Sequence, residues 1–247
     1  RLIRFMILPN QTLYDVLDKT WPAAQHIPWH CWCLRFGEGG GKRVCAATLK
    51  GTLDSQSIDV AAQNMRDFGQ SSIFMVRKGE NELDATLANR GYEICDPCNI
   101  CAAPVEELTK QRPPSVTMFN IWEPLEIQKD IWRRGGVEAS RFAVMERVKG
   151  AKASILMRWD NHSAGSAFVA ISNKVAMVHA LEVLPSQRRK RVGTWGMRQA
   201  ALWAKEQGAH SVSAICTKQN TGANALYSSL NMRCVGGYHY RIKKDKR

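Results

Sequence analysis

The chain has 247 residues, of which 45% are hydrophobic and 23% are charged, and its formal net charge is +13. This composition is that of a globular protein with one large core or two smaller ones, and it excludes a disordered or fibrous chain. The apolar runs are far shorter than the roughly 20 residues of a membrane helix, and no signal-peptide pattern opens the chain. We therefore expect a cytoplasmic protein that does not span a membrane. The positive charge indicates an anionic partner, but basic residues are not interleaved with aromatic ones, which disfavours nucleic acid.

The first half of the chain predicts alternating helices and strands. Apolar residues recur at helical spacing or in short runs, with glycine or polar residues between them. The predicted helices span 13–20, 58–68 and 80–89, and the predicted strands span 29–36, 44–49, 72–76 and 92–102. The segment GEGGGKR (37–43) is predicted to be a hairpin turn, because it lacks the Gly-Lys-Ser/Thr ending and the following helix of a phosphate-binding loop.

A polar segment with two consecutive prolines, TKQRPPS (109–115), has the composition of a linker and predicts two domains, at 1–110 and 111–247. Beyond it, the predicted helices span 125–134, 138–148, 192–206 and 223–230, and the predicted strands span 153–159, 163–172, 175–184, 211–217 and 235–242. The short turns DNHS and SNK predict that the first three of these strands form an antiparallel meander. Strands followed by late helices predict an α+β domain. The first half has a similar order, so we expect two similar domains in tandem.

The eight cysteines are expected to be free thiols, because no secretory signal accompanies them. Cys95, Cys98 and Cys101 form a C-x2-C-x2-C run. An iron–sulfur run would need a fourth cysteine at the position of Val105, and zinc would need a fourth ligand from elsewhere in the chain. We favour the alternative that these cysteines pack as small apolar residues, and we expect no metal.

The segment after the strand at 175–184 has the composition of a phosphate site. A basic turn opens the helix at 192–206, and the first turn of any helix carries unpaired N–H groups and a partial positive charge. The amides from Arg189 to Thr194 are therefore candidates to hold a diphosphate. The side chains of Arg188, Arg189 and Lys190 are candidates for a further phosphate. The alternative is a solvated basic turn that caps an ordinary helix.

Asn220, Ala223, Leu226 and Tyr227 form an Asn-x-x-Ala-x-x-Leu-Tyr array. Asn220 is placed to cap the following helix. A phenol with a pKa near 10 can donate a proton, which makes Tyr227 a candidate acid. The alternative for Tyr227 is a tyrosine of the core.

These segments resemble the GCN5-related N-acetyltransferase (GNAT) superfamily. The pyrophosphate motif of that family, Arg/Gln-x-x-Gly-x-Gly/Ala, is matched by Arg188 to Gly193, with Arg191 at the position of the first glycine. The resemblance implies an α+β GNAT fold, in which a mixed, mostly antiparallel sheet is flanked by helices, and it implies acetyl-CoA as co-substrate. The implied cofactor-binding residues around this motif are Arg188, Arg189, Lys190, Arg191, Val192, Gly193, Thr194, Asn220 and Ala223.

The strand before the turn contains HALEV (179–183), which is similar to the His-Ala-Leu-Ala-Val of arylalkylamine acetyltransferases. The resemblance implies that the backbone from Leu181 to Val183 pairs with the pantetheine arm and that His179 accepts a proton from the amine. Glu182 is the rival base, and on a regular strand it faces away from His179. The resemblance also implies that Tyr227 is the general acid.

The expected function is therefore the acetylation of an amine by direct attack on acetyl-CoA in a ternary complex, by a monomer or a homodimer. The acceptor is left open among a small amine, an aminoglycoside, a polyamine and a protein lysine. The first half resembles a degenerate copy of the same fold, and we expect it to shape the acceptor cleft. The alternatives are a non-catalytic CoA-binding or interaction module and a basic nucleic-acid binder.

Overall fold

The computed structural model describes residues 10–243, which fold around one eight-stranded sheet and a smaller three-stranded sheet. The strands are β1 Gln25–Trp29, β2 Trp32–Phe36, β3 Thr48–Leu49, β4 Ile73–Arg77, β5 Glu93–Pro104, β6 Met118–Ile121, β7 Lys152–Trp159, β8 His162–Ser172, β9 Val175–Val183, β10 Ser211–Thr217 and β11 Arg233–Ile242. The helices are α1 Asn10–Thr20, α2 Lys42–Cys45, α3 Ser57–Asp67, α4 Asn81–Asn89, α5 Val105–Thr109, α6 Glu126–Arg134, α7 Ala139–Arg147, α8 Val192–Glu206 and α9 Thr221–Ser229.

The large sheet has the order β4-β11-β5-β10-β9-β8-β7-β6. Its neighbouring strands are antiparallel except β9 and β10, which run parallel. The prediction of a mixed, mostly antiparallel sheet flanked by helices is thus confirmed.

The predicted meander of β7, β8 and β9 is also confirmed. Its two turns each hold a pair of residues at positive φ, namely Asp160 and Asn161 in the first and Asn173 and Lys174 in the second. Such pairs form the type I′ turn, whose twist matches that of the flanking strands. The polar turn residues of the sequence therefore set the register of this part of the sheet.

The first half departs from the prediction in two places. The predicted strand 29–36 is a hairpin of β1 and β2, which turns at His30 (φ 49°) although no glycine, asparagine or aspartate is present there. The predicted strand 44–49 is replaced by α2 and the two-residue β3. The segment 37–43 is therefore not a tight hairpin turn, because it leads into α2 before β3 pairs with β2. The short β6 and α5 were not predicted.

The large sheet is covered on both faces. On one face α8 packs Met197 and Ala200 into a core cluster, and on the other face α1 and α6 bury Leu13 and Trp132. These side chains are at most 2% exposed, so each face of the sheet is closed by helices.

The two halves of the chain share this sheet. β5 lies between β10 and β11, and β11 lies between β4 and β5. At one register position Cys101 of β5 is opposite Ala214 of β10 on one side and Cys234 of β11 on the other. The domain ranges 1–110 and 111–247 stay a prediction, and residues 1–9 and 244–247 of those ranges lie outside the described residues.

No helix within the described residues 10–243 is long and apolar enough to cross a membrane.

Candidate active site

The parallel strands β9 and β10 separate part-way along their length. They are paired only where Val175 to Val178 lie opposite Ser211 to Ala214. Beyond these residues β9 continues to Val183 and β10 to Thr217, but the two strands no longer pair with each other. The strands therefore open a crevice at their carboxyl ends, which is where ligands bind in many folds with parallel strands.

A β-bulge shapes β9 at this opening. Ala180 has a φ of 49°, and the pairing of β8 with β9 shifts register beside it. The indole Nε1 of Trp132 donates a hydrogen bond of 2.7 Å to the Ala180 carbonyl, which fixes the bulge. A bulge adds one residue to a strand and so reverses the alternation of side chains beyond it.

The consequence is that Glu182 and His179 line the same cavity, whereas Leu181 and Val183 pack towards the core under α8. The expectation that Glu182 faces away from His179 was based on a regular strand, and it was wrong. It failed because the left-handed conformation of Ala180 inserts one residue between the two side chains.

The cavity at the opening has a volume of about 330 Å³ and is lined by both halves of the chain. Its walls include Trp21, Arg43, His179, Glu182, Thr217 and Tyr238. Ligand pockets commonly measure about 300–1,000 Å³, so this cavity is of a size for a small molecule.

His179 is held in the wall of this cavity by both ring nitrogens. Nε2 lies 2.9 Å from the Thr20 hydroxyl oxygen, and that hydroxyl donates its own proton to the Val16 carbonyl. The N–H of His179 is therefore on Nε2, which donates a hydrogen bond to the Thr20 oxygen. Nδ1 accepts from Nη1 of Arg43 at 3.2 Å. Burial lowers the pKa of His179 well below its usual range, and Arg43 lowers it further. His179 is therefore neutral, with both nitrogens occupied.

Glu182 is half-buried in the same cavity, and its environment favours the protonated form. Burial raises the pKa of its carboxyl group, while Arg188 and Arg141 partly oppose that rise. The carboxyl group packs on Gly135 at the end of α6, where a Cβ would overlap the Glu182 carboxyl carbon. A carboxylate with a raised pKa is a stronger base than an ordinary one.

The basic turn at residues 188–191 has the backbone of an anion site. Arg189 and Arg191 both have a φ near 60° (62° and 64°), and Arg191 directly precedes the first residue of α8. Alternation of left-handed and ordinary conformations turns successive amides inward, and the helix N-terminus adds its unpaired amides.

Gly193 brings this turn close to two other elements. A Cβ on Gly193 would lie 3.2 Å from Cδ2 of Leu226 in α9 and 3.7 Å from Cγ2 of Val183 in β9. The glycine therefore allows the start of α8 to sit against both. Val192 beside it is buried, and Thr194 is half-buried.

The basic side chains of the turn are arranged around the backbone rather than over it. Arg188 donates through Nε to the Val183 carbonyl at 3.1 Å. Lys190 pairs with Asp160 at 3.0 Å. The guanidinium of Arg191 lies over the Trp195 ring, 4.7 Å from its centroid, and so points along α8 away from the turn. Arg189 is exposed.

Asn220 caps α9 as predicted. Its Oδ1 accepts a hydrogen bond of 3.0 Å from the Ala223 amide. One helical turn later, Tyr227 is 4% exposed, and burial raises the pKa of its phenol. Arg43 opposes this rise and Glu182 adds to it, which places Tyr227 within electrostatic reach of both cavity residues.

The cysteines of β5 do not converge. Cys101 packs in the core cluster under α8, whereas Cys98 packs in the cluster on the opposite face of the sheet. Burial raises the pKa of the Cys101 thiol to about 11, so it is a poor metal ligand at neutral pH. Within residues 10–243, no group of three or more His, Cys, Asp or Glu side chains is placed to hold a metal ion.

Comparison with known proteins agrees with this geometry. Residues 117–232 match the Acetyltransferase (GNAT) family. This segment therefore resembles a GNAT domain. A GCN5-related N-acetyltransferase from Kribbella flavida superposes with a TM-score of 0.73 at 16% identity and covers 96% of each chain, so the whole described fold is a GNAT fold.

Two curated relatives extend the comparison. The uncharacterized N-acetyltransferase YobR of Bacillus subtilis (strain 168) is 22% identical over 236 residues, which cover 91% of this chain and 95% of YobR. The aminoglycoside N(6')-acetyltransferase type 1 of Acinetobacter haemolyticus is 25% identical over 144 residues, which cover 54% of this chain and 97% of that enzyme.

The segment that matches the family, residues 117–232, does not build the cavity alone. Thr20, Trp21 and Arg43 come from the first half of the chain, and Tyr238 comes from β11, beyond the matched segment. None of the four was predicted as a site residue. Arg43 ends the glycine-rich segment 37–43, which was interpreted as a turn, and the surroundings of the other three carry no motif. The interleaving of the two halves brings all four to the opening between β9 and β10.

Proposed function

We propose that this chain is an N-acetyltransferase that transfers the acetyl group of acetyl-CoA to a primary amine by direct attack in a ternary complex. The observation that carries the proposal is the opening between β9 and β10, with an anion-binding turn at the end of β9 and Glu182 in the adjoining cavity. Acetyl-CoA supplies the activated acetyl group as a thioester. The residues of the chain bind it, orient the amine and move protons.

The turn fits the diphosphate of the co-substrate. The amides from Arg189 to Thr194 and the N-terminus of α8 offer donors and partial positive charge, and the outward position of Arg191 leaves the concave side of the turn free. Beyond Val178, β10 no longer pairs with β9, so the edge of β9 from Leu181 to Val183 faces the pantetheine arm, with the Val183 carbonyl accepting a hydrogen bond from Arg188. Arg188, Lys190, Val192, Gly193, Asn220 and Ala223 support this surface.

Glu182 is the base in this proposal, and His179 positions the cavity wall. Both nitrogens of His179 are occupied, and its lowered pKa makes it a weak proton acceptor, whereas burial raises the pKa of Glu182 above its usual range. Glu182 therefore accepts the proton from the amine. Tyr227 stays protonated at neutral pH because burial raises its pKa, so it has a proton for the thiolate that leaves.

We also propose that the two halves, 1–110 and 111–247, are tandem copies of one fold. α4 and α9 end alike: the Tyr92 amide bonds to the Leu87 carbonyl, and the Met232 amide bonds to the Tyr227 carbonyl, both at 3.0 Å. A parallel contact also occurs in both halves. Ala47 forms an isolated parallel β-bridge with Phe74 of β4 in the first half, and β9 pairs in parallel with β10 in the second. Leu87 has the position in α4 that Tyr227 has in α9, so the proposed first copy lacks the tyrosine that serves as the acid.

The alternative is a CoA-binding or interaction module without catalysis. Its support is Arg191, a non-glycine residue held at positive φ in the phosphate turn. Calorimetric titration with acetyl-CoA, followed by a thiol-release assay with a panel of amines, separates the two. Saturable binding with turnover of any amine supports the enzyme, and binding without turnover supports the module. Failure to bind acetyl-CoA would overturn both.

A further inference from the structure

The cavity contains a cation with no acidic partner. None of the ion pairs within residues 10–243 involves Arg43. Its Nη1 donates to His179, but its Nε is buried without a hydrogen-bond partner in the described chain. Of the other basic groups of the lining, Lys42 pairs with Asp96 at 2.7 Å. Arg141 forms no ion pair with a described residue either, but it donates to the Gly136 carbonyl at 3.2 Å and has no buried donor without a partner.

A second polar group beside Arg43 also has a donor to spare. Tyr238 lines the same cavity and is 4% exposed, and its hydroxyl group donates no hydrogen bond to a described residue, although the Arg43 guanidinium and the Tyr240 hydroxyl are its close polar neighbours. Burial raises the pKa of this phenol, and the adjacent Arg43 opposes the rise, so Tyr238 is a neutral O–H donor next to the guanidinium. Buried polar groups are nearly always hydrogen-bonded, so these two donors are available to a polar group that enters the cavity.

A guanidinium and a phenol that both have donors to spare fit an anionic acceptor group, above all a planar carboxylate. The Glu182 carboxyl group lies in the wall of the same cavity, where it can accept a proton from an ammonium group. Apart from the Lys42–Asp96 pair, the lining therefore holds the acidic Glu182 and two arginines that form no ion pair with a described residue, and Arg43 is the arginine whose buried Nε has no partner. A ligand that carries both an ammonium and a carboxylate satisfies Glu182 and Arg43 at once.

We propose that the acceptor is a small zwitterionic amino acid, whose carboxylate is bound by Arg43 and Tyr238 while its amino group faces Glu182. The inference rests on the proposed acetyl transfer for the role of the amino group. It excludes aminoglycosides and polyamines as preferred acceptors, because these polycations would bring further positive charge to Arg43. The volume of about 330 Å³ is at the lower end for ligand pockets, which favours a small molecule over a protein lysine.

The test compares amino acids with their carboxamides, which have the same shape but no carboxylate. A panel of α-, β- and γ-amino acids and their carboxamide partners is titrated calorimetrically into the wild-type protein in the presence of CoA. Hydrogen bonds to charged groups are strong, so for the pair that fits the cavity we expect the amino acid to bind at least about tenfold more tightly than its carboxamide.

Three variants locate this preference. In R43M the ratio of the two dissociation constants should fall to near one, and in Y238F it should fall in part. K42M is the matched control, because it removes a cation of the same lining that already has a partner, and it should keep the wild-type ratio. The basicity of the amine differs within each pair in the same way for all proteins. A change in the ratio between variants therefore reports on the carboxylate alone.

The outcomes separate this inference from the proposed function. A wild-type ratio near one for every pair, no detectable binding of any amino acid, or a ratio unchanged in Y238F and in folded R43M would overturn it. If R43M does not fold, as judged by thermal melting, the wild-type ratio and Y238F decide. A carboxylate preference in binding without thiol release would support the site and refute acetyl transfer. Thiol release without the carboxylate preference would support acetyl transfer and refute the carboxylate site.

Discussion

Replacing Glu182 with glutamine is the most informative perturbation of the proposed chemistry. The amide keeps the size of the side chain and its packing against Gly135, but it cannot accept a proton at neutral pH. A positioned general base contributes about 10²–10⁴ in rate, which corresponds to about 3–5 kcal/mol of activation free energy. We expect E182Q to lose that factor in kcat and to keep the wild-type affinity for acetyl-CoA.

The pH profile gives an independent readout. Because burial raises the pKa of Glu182, the activity of the wild-type protein should rise with pH through that raised value. The amine titrates as well, so kcat/KM is measured with two acceptors whose amines have different pKa values. The limb that stays at the same pH with both acceptors belongs to the enzyme, and it should be absent from E182Q.

The burial of Glu182 also predicts the sign of the change in folding stability with pH. A carboxyl group whose pKa is raised by folding destabilises the fold when ionised, so its cost appears as pH rises from the unfolded value of about 4.3. E182Q should therefore melt at the same or a higher temperature than wild type at pH 8, and this difference should vanish in acid. A folded E182Q that keeps more than a tenth of the wild-type kcat would refute the assignment of the base.

Three further predictions follow from neighbouring groups. Tyr227→Phe should lower kcat by about 10² or more with an unchanged calorimetric Kd for acetyl-CoA, since only the proton donor is lost. A loss of acetyl-CoA affinity as large as the loss of kcat would instead show that Tyr227 is a packing residue. Arg191→Gly should change this Kd less than about threefold, because the backbone is already left-handed and the side chain already points outward; a tenfold gain would show that Arg191 crowds the turn. His179 is buried with a lowered pKa, so the unfolded state binds more protons in acid, and urea denaturation should show stability falling by up to about 1.4 kcal/mol per pH unit below pH 6.5. His179→Gln should remove this slope and keep at least a tenth of the wild-type kcat at pH 8, and a slope that persists would contradict the titration.

The sequence predicted the second half of the fold well because its signals are local. β7, β8 and β9 are long, and the polar turns between them hold residues that accept positive φ, such as Asn161 and Asn173. The prediction for the first half failed where the turn lacked such residues. His30 reverses the chain without any of the usual turn residues, and the four residues of α2 are too few to show a helical period.

The site was predicted only as far as contiguous motifs reach. The phosphate turn and the cap at Asn220 lie within short segments, so their residue types alone indicated their geometry. The bulge at Ala180 has no signal in the sequence, since alanine has no preference for a left-handed conformation. The contact of Arg43 with His179 joins residues far apart in the chain, and no local pattern predicts which distant side chain meets a strand.

The interleaving of β5 and β11 explains why the first half can lack the motifs of catalysis and still be required. A copy that supplied only its own sheet could be lost without effect on the second half. Here β5 fills the gap between β10 and β11, and the loop and helix after β2 bring Arg43 to the cavity. Under the proposed tandem origin, selection on the first half would act on packing and on acceptor binding rather than on the proposed acetyl transfer. The similar backbone at the ends of α4 and α9, with Leu87 at the position of Tyr227, is consistent with such a division of roles.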